Sequence, residues 1–225
     1  MTNAPTAAAP RIQPWSLWLV FGLMFGGVLV AFDYVKRNRA EAESPRPPYV
    51  SKIERDFTGT NHDGVTRQIS ELKGSLWLAT HLHSLDDGRS AEVARLVDAL
   101  RSEFGDYQLP AVSFAVDPDA TPEDRAKFLA DLQIDPTTWW FLEGTDATDQ
   151  KRLLSRYLRF MPSRKLPAEK GGGYYHDVRV ALIDEKANVR GYYQLLHPEH
   201  SEFEKNRLRK NLTYLLSGES DAPES

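Results

Sequence analysis

The 225-residue chain contains no cysteine. That single absence removes disulfides, thiolate nucleophiles, thiolate metal sites and thiol–disulfide redox chemistry together. A dominant charge is also lacking: 28 Lys and Arg stand against 32 Asp and Glu, a formal net charge of −4. The basic residues do not gather into a run interleaved with aromatics, so composition favours no nucleic-acid partner. Internal repeats are absent, and so are a nucleophile elbow around a serine and a Ser-His-Asp pattern. His197-Pro198-Glu199-His200 lacks the HExxH spacing of a zinc helix, and its proline suits a helix start instead. Gly171 to Gly173 neither follows a strand nor precedes Lys-Ser/Thr, which argues against a phosphate cradle.

One long uncharged run is present, the 18 residues Trp15 to Phe32. Extended by Tyr34 and Val35, it is long enough to cross a hydrocarbon core of about 30 Å at about 1.5 Å per residue. Residues 15–35 are therefore expected to be a transmembrane anchor, with Trp15, Trp18 and Tyr34 at its interfaces. A cleaved secretory signal ending near Ala40-Glu41-Ala42 fits less well, because the apolar run is long and charges intervene. Residues 1–14 read as a disordered tip and 36–49 as a polar, proline-bearing linker. Residues 50–217 are expected to form one domain and 218–225 a polar tail. Lys36, Arg37 and Arg39 follow the run while only Arg11 precedes it, so a plain count would place the domain in the cytoplasm.

Within the domain, Leu76 to Leu82 predicts a buried strand leading through a loop, His83 to Arg89, into a helix. Ala91 to Phe104 places Val93, Leu96, Val97, Leu100 and Phe104 on one helical face, and Gly105 ends it. Pro110 to Val116 predicts another buried strand. Thr121-Pro122-Glu123-Asp124 is a helix start with Thr121 as N-cap and Pro122 at the first position. Asp117 and Asp119 read as turn and capping residues. Trp139 to Leu142 predicts a strand, Thr148 to Leu158 a basic helix, and Phe160 to Gly173 a loop with little reason to be ordered. Val178 to Ile183 and Val189 to Tyr193 form a hairpin. A last helix from about Pro198 to Gly218 turns Phe203, Leu208, Leu212, Leu215 and Leu216 inward. The order predicts an α/β fold with a thioredoxin-like mixed sheet and flanking helices.

Several stretches together resemble one family. Asp56-Phe57-Thr58, Asp63-Gly64 and Leu72-Lys73-Gly74 resemble the opening of SCO/SenC proteins. Val112 to Pro118 with Thr121-Pro122, Trp139 to Gly144, His176, Leu182-Ile183-Asp184 and Arg190-Gly191-Tyr192-Tyr193 resemble later segments. The resemblance runs from about Ile53 to Leu216. It implies a membrane-anchored, thioredoxin-like protein related to copper handling in cytochrome c oxidase assembly. It also implies no enzymatic activity, a respiratory-complex subunit or assembly factor as partner, and residence in the inner or cytoplasmic membrane. The domain would then face the periplasmic side, against the charge count.

The family's metal site uses two cysteines spaced C-x3-C and a distant histidine. Those positions fall here on Asp86, Ser90 and His176, so one ligand of three survives. Copper(I) prefers sulfur ligands, and fold carries over more safely than activity. Two readings follow. In one, an accessory protein acts by protein contact through the surface around His83, Asp86 and His176, with thiol copper chemistry lost. In the other, His176 and Asp86, helped by His83 and His81 on one strand face, form a metal site for copper(II) or zinc. Against both stands a plain structural role, with Ser90 as N-cap and Asp86 and Asp87 suiting the positive helix end.

Overall fold

The computed structural model describes residues 14–43, 46–85, 88–167, 169 and 174–218. The expected disordered tip up to residue 13, the tail beyond 218, and Asp86 and Asp87 lie outside those residues. The chain divides after residue 44 into two units.

The first unit contains the helix α1, Pro14–Glu43. The expected anchor and the start of the expected linker are thus one helix, because Lys36 to Glu43 is rich in the good helix formers Lys, Arg, Ala and Glu. Among the described residues, no helix is long and apolar enough to cross a membrane. The transmembrane expectation is thus not confirmed, and α1 continues past its uncharged stretch through Asp33, Lys36, Arg37 and Arg39.

The second unit is built on strands β1 (Ser51–Lys52), β2 (Thr58–Thr60), β3 (Thr66–Gln68), β4 (Trp77–Leu82), β5 (Ala111–Ala115) and β6 (Trp139–Gly144). β7 (Arg164–Lys165) and β8 (Tyr174–Tyr175) make a separate small ribbon, and β9 (Val180–Ile183) and β10 (Asn188–Tyr193) complete the set. The main sheet has the order β1-β10-β9-β4-β5-β6-β2-β3. β4, β5 and β6 are parallel, and the pairs outside them are antiparallel. Helices α2 (Gly88–Ser102), α3 (Pro122–Asp131), α4 (Ala147–Arg152) and α5 (Ser201–Leu216) flank it. The α/β, thioredoxin-like expectation holds.

Period-2 alternation divides the core between the sheet's two faces. Leu78 and Leu82 of β4 join Val93 and Val97 of α2 and Leu208 and Leu212 of α5 on one face. Trp77 and Ala79 join Phe57, Phe114, Leu142 and Leu158 on the other. Each such side chain, fully buried, contributes about 1.5–3 kcal/mol. The register of β10 against β9 slips between Val189 and Gly191. That bulge lets Val189 and Tyr193 serve opposite faces although four residues apart. Arg190, inside the bulge, is buried and reaches Asp184 Oδ2 at 3.2 Å and the Pro47 carbonyl at 2.9 Å.

The helix starts follow their side chains. Thr121 accepts from the Asp124 N–H, and Asp124 accepts from the Thr121 N–H, a reciprocal cap with Pro122 at the first position. His197 Nδ1 accepts from the backbone N–H of Glu199 and His200 just ahead of α5. Phe203 departs from expectation. It is 52% exposed, because at about 100° per residue it lies roughly opposite Leu208 and Leu212, which with Asn211 form the buried face of α5. The expected basic helix is shorter too: α4 ends at Arg152 and a wider π-type turn follows over Leu153–Tyr157.

Candidate functional site

Polar groups gather where β4 and β5 end and α2 begins, the edge at which open α/β sheets place their ligands. β4 is buried throughout, Trp77 to Leu82. Its odd-numbered residues face away from α2, which puts His81 beside Phe160, rings stacked with centroids 6.3 Å apart. His83 follows two residues on. The antiparallel pairing of β4 with β9 brings the residues that precede β9 alongside, and His176 completes a group of three imidazoles. His176 lies 6.0 Å from His81 and 6.4 Å from His83, centroid to centroid. All three are nearly fully buried.

Ser90 is not the N-cap. α2 begins at Gly88, so Ser90 is inside the first turn, fully buried, and its hydroxyl turns into the histidine group. Ser90 Oγ accepts from the His83 N–H at 2.9 Å and lies 3.1 Å from His176 Nε2. A loop amide in a buried site needs an acceptor, and the serine supplies it. Its contact with Nε2 runs in the direction set by the His176 tautomer.

Asp117 was read as turn chemistry and is instead a buried anchor, 2% exposed. Its carboxylate accepts from the Ser84 N–H at 2.5 Å and the Ser84 hydroxyl at 2.9 Å, and it pairs with His83 Nε2. The signal was in the strand register: Leu82 opposite Ala115 sets Ser84 level with Asp117 two residues later.

Asp177, next to His176, was also missed. It accepts from the Met161 N–H at 2.8 Å and from Arg179, whose Nη2 lies 2.6 Å away. Burial acts to raise the Asp177 carboxyl, but the Arg179 guanidinium and the Met161 and Arg179 N–H groups hold it below the usual range. Arg179 also donates to the Arg159 carbonyl at 2.8 Å. These bonds order the start of a segment expected to be loose. Phe160 is buried, and β7 pairs with β8 across residues 168 and 170–173, which lie outside the described residues.

His81 differs from its neighbours. Burial, and then the nearby His176, push its pKa down to about 3, with Asp177 pulling the other way. It is therefore neutral at physiological pH. Its Nδ1 has no hydrogen-bond partner.

Three imidazoles sharing one tetrahedral ion, at bonds of 2.0–2.1 Å, have centroids about 5 Å apart. The separations found are wider. Among the described residues, no group of three His, Cys, Asp or Glu is placed to hold an ion. The expected partner of His176, Asp86, lies outside those residues. A soft copper(I) ion finds no thiolate anywhere in the chain.

Beside the histidines opens a cleft of about 410 Å³. Its walls are the ends of β5 and β6, α4 with the turn after it, and Phe160 to Ser163. Gln150 fixes the floor, donating to the Ala115 carbonyl and accepting from the Gly144 N–H. His81 and Asp117 reach it from the histidine side.

The chain is 32% identical over 93 residues to an SCO1 protein homolog of Bacillus subtilis, a match over 39% of this chain and 47% of that protein. The chain thus spans about half the length of that curated relative. A SCO1/SenC family lipoprotein of Bacillus anthracis superposes with a TM-score of 0.64 at 20% identity, over 76% of this chain and 99% of that one. The chain, which has no cysteine, is similar to SCO/SenC proteins in part of its sequence and in its fold. No family model matches it. Copper-bound ScoI of Bradyrhizobium japonicum gives a TM-score of 0.53 at 20% identity, covering 69% and 98% of the two chains. Copper-bound yeast Sco1 gives 0.57 at 14%, covering 78% and 92%. At such identities the shared property is the fold. In this chain a sulfur-free hydrogen-bond network occupies the sheet's carboxyl edge.

Proposed function

We propose that this chain is an accessory protein of cytochrome c oxidase assembly that acts by contact with a partner and carries no copper through thiolates. The observation that supports this most directly is the setting of Ser90. It stands at the position that the resemblance assigns to the second cysteine, and its hydroxyl is engaged with His83 and His176. A serine hydroxyl stays protonated at neutral pH and offers copper(I) no soft anion. The B. subtilis relative named as an SCO1 homolog supports the link to oxidase assembly at family level.

In the same reading, α1 holds the protein to a membrane. Phe21, Leu23, Phe25, Val28 and Phe32 are all exposed, with Trp15 and Trp18 towards one end and Tyr34 at the other. From Trp15 to Tyr34 is about 30 Å of helix. The B. anthracis neighbour is named a lipoprotein, which also favours a membrane-held domain. The domain would lie on the outer, periplasmic side, with a respiratory-complex subunit or assembly factor as its partner.

A second reading rests on the convergence of His81, His83 and His176: a metal-binding chaperone in which His176 and Asp86 hold copper(II) or zinc. One experiment separates the two. The gene is deleted in its source organism, oxidase activity is assayed, and the loss is complemented with wild type or His176→Ala. The contact reading expects deletion to lower oxidase activity and His176→Ala to restore at least half of it. The metal reading expects no restoration, together with one-to-one metal binding that His176→Ala abolishes. A deletion without effect on the oxidase overturns both.

A further inference from the structure

Residues 151 to 165 hold six of the 28 basic residues and none of the 32 acidic ones. Balanced charge over the whole chain hides this concentration, and the same segment supplies one side of the cleft through Lys151, Leu154, Ser155 and Phe160 to Ser163. Lys151 lines the cleft, and Lys151, Arg156, Arg159, Arg164 and Lys165 are all exposed. Among the described residues only Arg152 of this set has a carboxylate partner, Asp149. Arg156 and Arg164 lie over the rings of Tyr157 and Tyr175. Two of these cations are thus held over rings, and among the described residues five of the six have no carboxylate partner.

The cleft beside them is mostly apolar, and the two carboxylates in its lining are engaged, Asp117 by Ser84 and Glu143 by Arg125. Val116, Leu154, Phe160 and Met161 contribute to its walls, and Met161 is 47% exposed at the rim. His81, 2% exposed, brings an unpartnered Nδ1 to the inner wall. A neutral imidazole there suits a hydrogen bond with an amide rather than with a charge.

From this juxtaposition we infer that the cleft between α4 and the Phe160–Ser163 wall is a docking groove for an extended acidic segment of a partner protein, with an apolar side chain inserted. The inference rests on the contact reading above and gives that contact a place and a chemistry. Carboxylates of the segment meet the basic rim, which steers encounter and sets specificity. The apolar side chain fills the interior, and a backbone amide meets His81. A nucleic acid fits less well, because Tyr157 and Phe160 are buried and offer no face for base stacking. A lipid surface fits less well, because the apolar area is concave and Met161 is the large apolar side chain exposed at its rim.

The test titrates the full-length chain, in detergent solution, with a labelled nine-residue peptide that has Leu-Phe-Leu at its centre and three aspartates on each side. Micromolar binding is expected, weakening steeply with salt. Lys151→Glu/Arg156→Glu/Lys165→Glu should weaken it about tenfold or more, and Met161→Ser should weaken it without changing the salt slope. Unchanged thermal melting of both variants keeps these outcomes interpretable, since the substituted side chains are exposed. Equal binding of a peptide flanked by lysines, or affinity unaltered in the variants, would overturn the groove. So would binding to vesicles of phosphatidylcholine and phosphatidylglycerol, three to one, with none to the peptide. Absence of peptide binding while gene deletion still lowers oxidase activity removes the groove and leaves the accessory role. Peptide binding without any effect of deletion on the oxidase does the reverse.

Discussion

Two neighbouring places at the carboxyl edge of the sheet treat their polar groups in opposite ways. Around Ser90, the His83 amide, the His176 ring and the Asp117 carboxylate answer one another within a few ångströms, and the residues are buried. Around the cleft, cations stand exposed and mostly without carboxylates, over an apolar interior. The first arrangement satisfies itself, and so it has stability to give and little appetite for a ligand. The second satisfies nothing until something enters it. When a fold loses the residues of an inherited site, a closed network can preserve its geometry while recognition falls to an adjacent surface.

His81 belongs to both places, and its acid response should be the largest single effect. Its pKa is pushed down to about 3 in the folded protein against an ordinary value of 6.5. Between those values the unfolded chain binds a proton that the folded chain refuses, so stability is full above about pH 6.5 and falls as pH drops towards 3. The cost over the whole window is about 4–5 kcal/mol. His81→Phe keeps a flat ring against Phe160 and removes the titration. Urea unfolding at several pH values should show a clearly shallower loss of stability in the variant between pH 6.5 and 4. Parallel curves would place the acid sensitivity elsewhere.

Asp177 ties the two places together, since it sits beside His176 and holds the Met161 amide that shapes the cleft wall. Asp177→Asn should cost about 2–3 kcal/mol, because half-buried Arg179 loses its partner and the Met161 N–H loses a charged acceptor. The loss should shrink at low pH. The carboxyl is held below its usual value by Arg179, so the stability it gives is complete above the ordinary carboxylate range and disappears as pH falls through the lowered folded value. Asp177→Asn should also blunt peptide binding in the cleft. A destabilised variant with unchanged peptide affinity would show that the wall does not depend on this tether.

Period and capping made much of this fold legible in the sequence. The buried run of β4, the alternation of the hairpin β9–β10 and the Thr121–Asp124 cap all stand where pattern and chemistry put them. The site was less legible, because its residues serve contacts that sequence spacing does not display. Ser90 sits before an apolar-periodic segment and so reads as an N-cap, yet α2 starts two residues earlier and turns the hydroxyl inward. Asp117 lies in a turn-rich stretch, and only the pairing of β4 with β5 reveals it as the acceptor for Ser84. Phe160 to Gly173 looks like an open loop until Asp177, from a distant strand approach, is seen to hold its first residues. Phe203 failed for a plainer reason: its spacing from Leu208 and Leu212 puts it on the opposite side of α5 from the buried face.

The smallest effect should come from the residue at the centre of the closed network. Ser90→Ala removes the acceptor of the His83 N–H and the neighbour of His176 Nε2 while adding no bulk to a fully buried position. The amide is left unsatisfied at a cost of about 1–3 kcal/mol. Nothing in that change touches Lys151, Met161 or the rest of the cleft, whose shape is held by Gln150 and Asp177. Urea unfolding should therefore register a modest loss, while affinity for the acidic peptide stays within a factor of about two, well inside 1 kcal/mol. If Ser90→Ala weakened the peptide as strongly as reversing the basic rim, the two places would be energetically one. The histidine network would then be part of the docking surface rather than its neighbour.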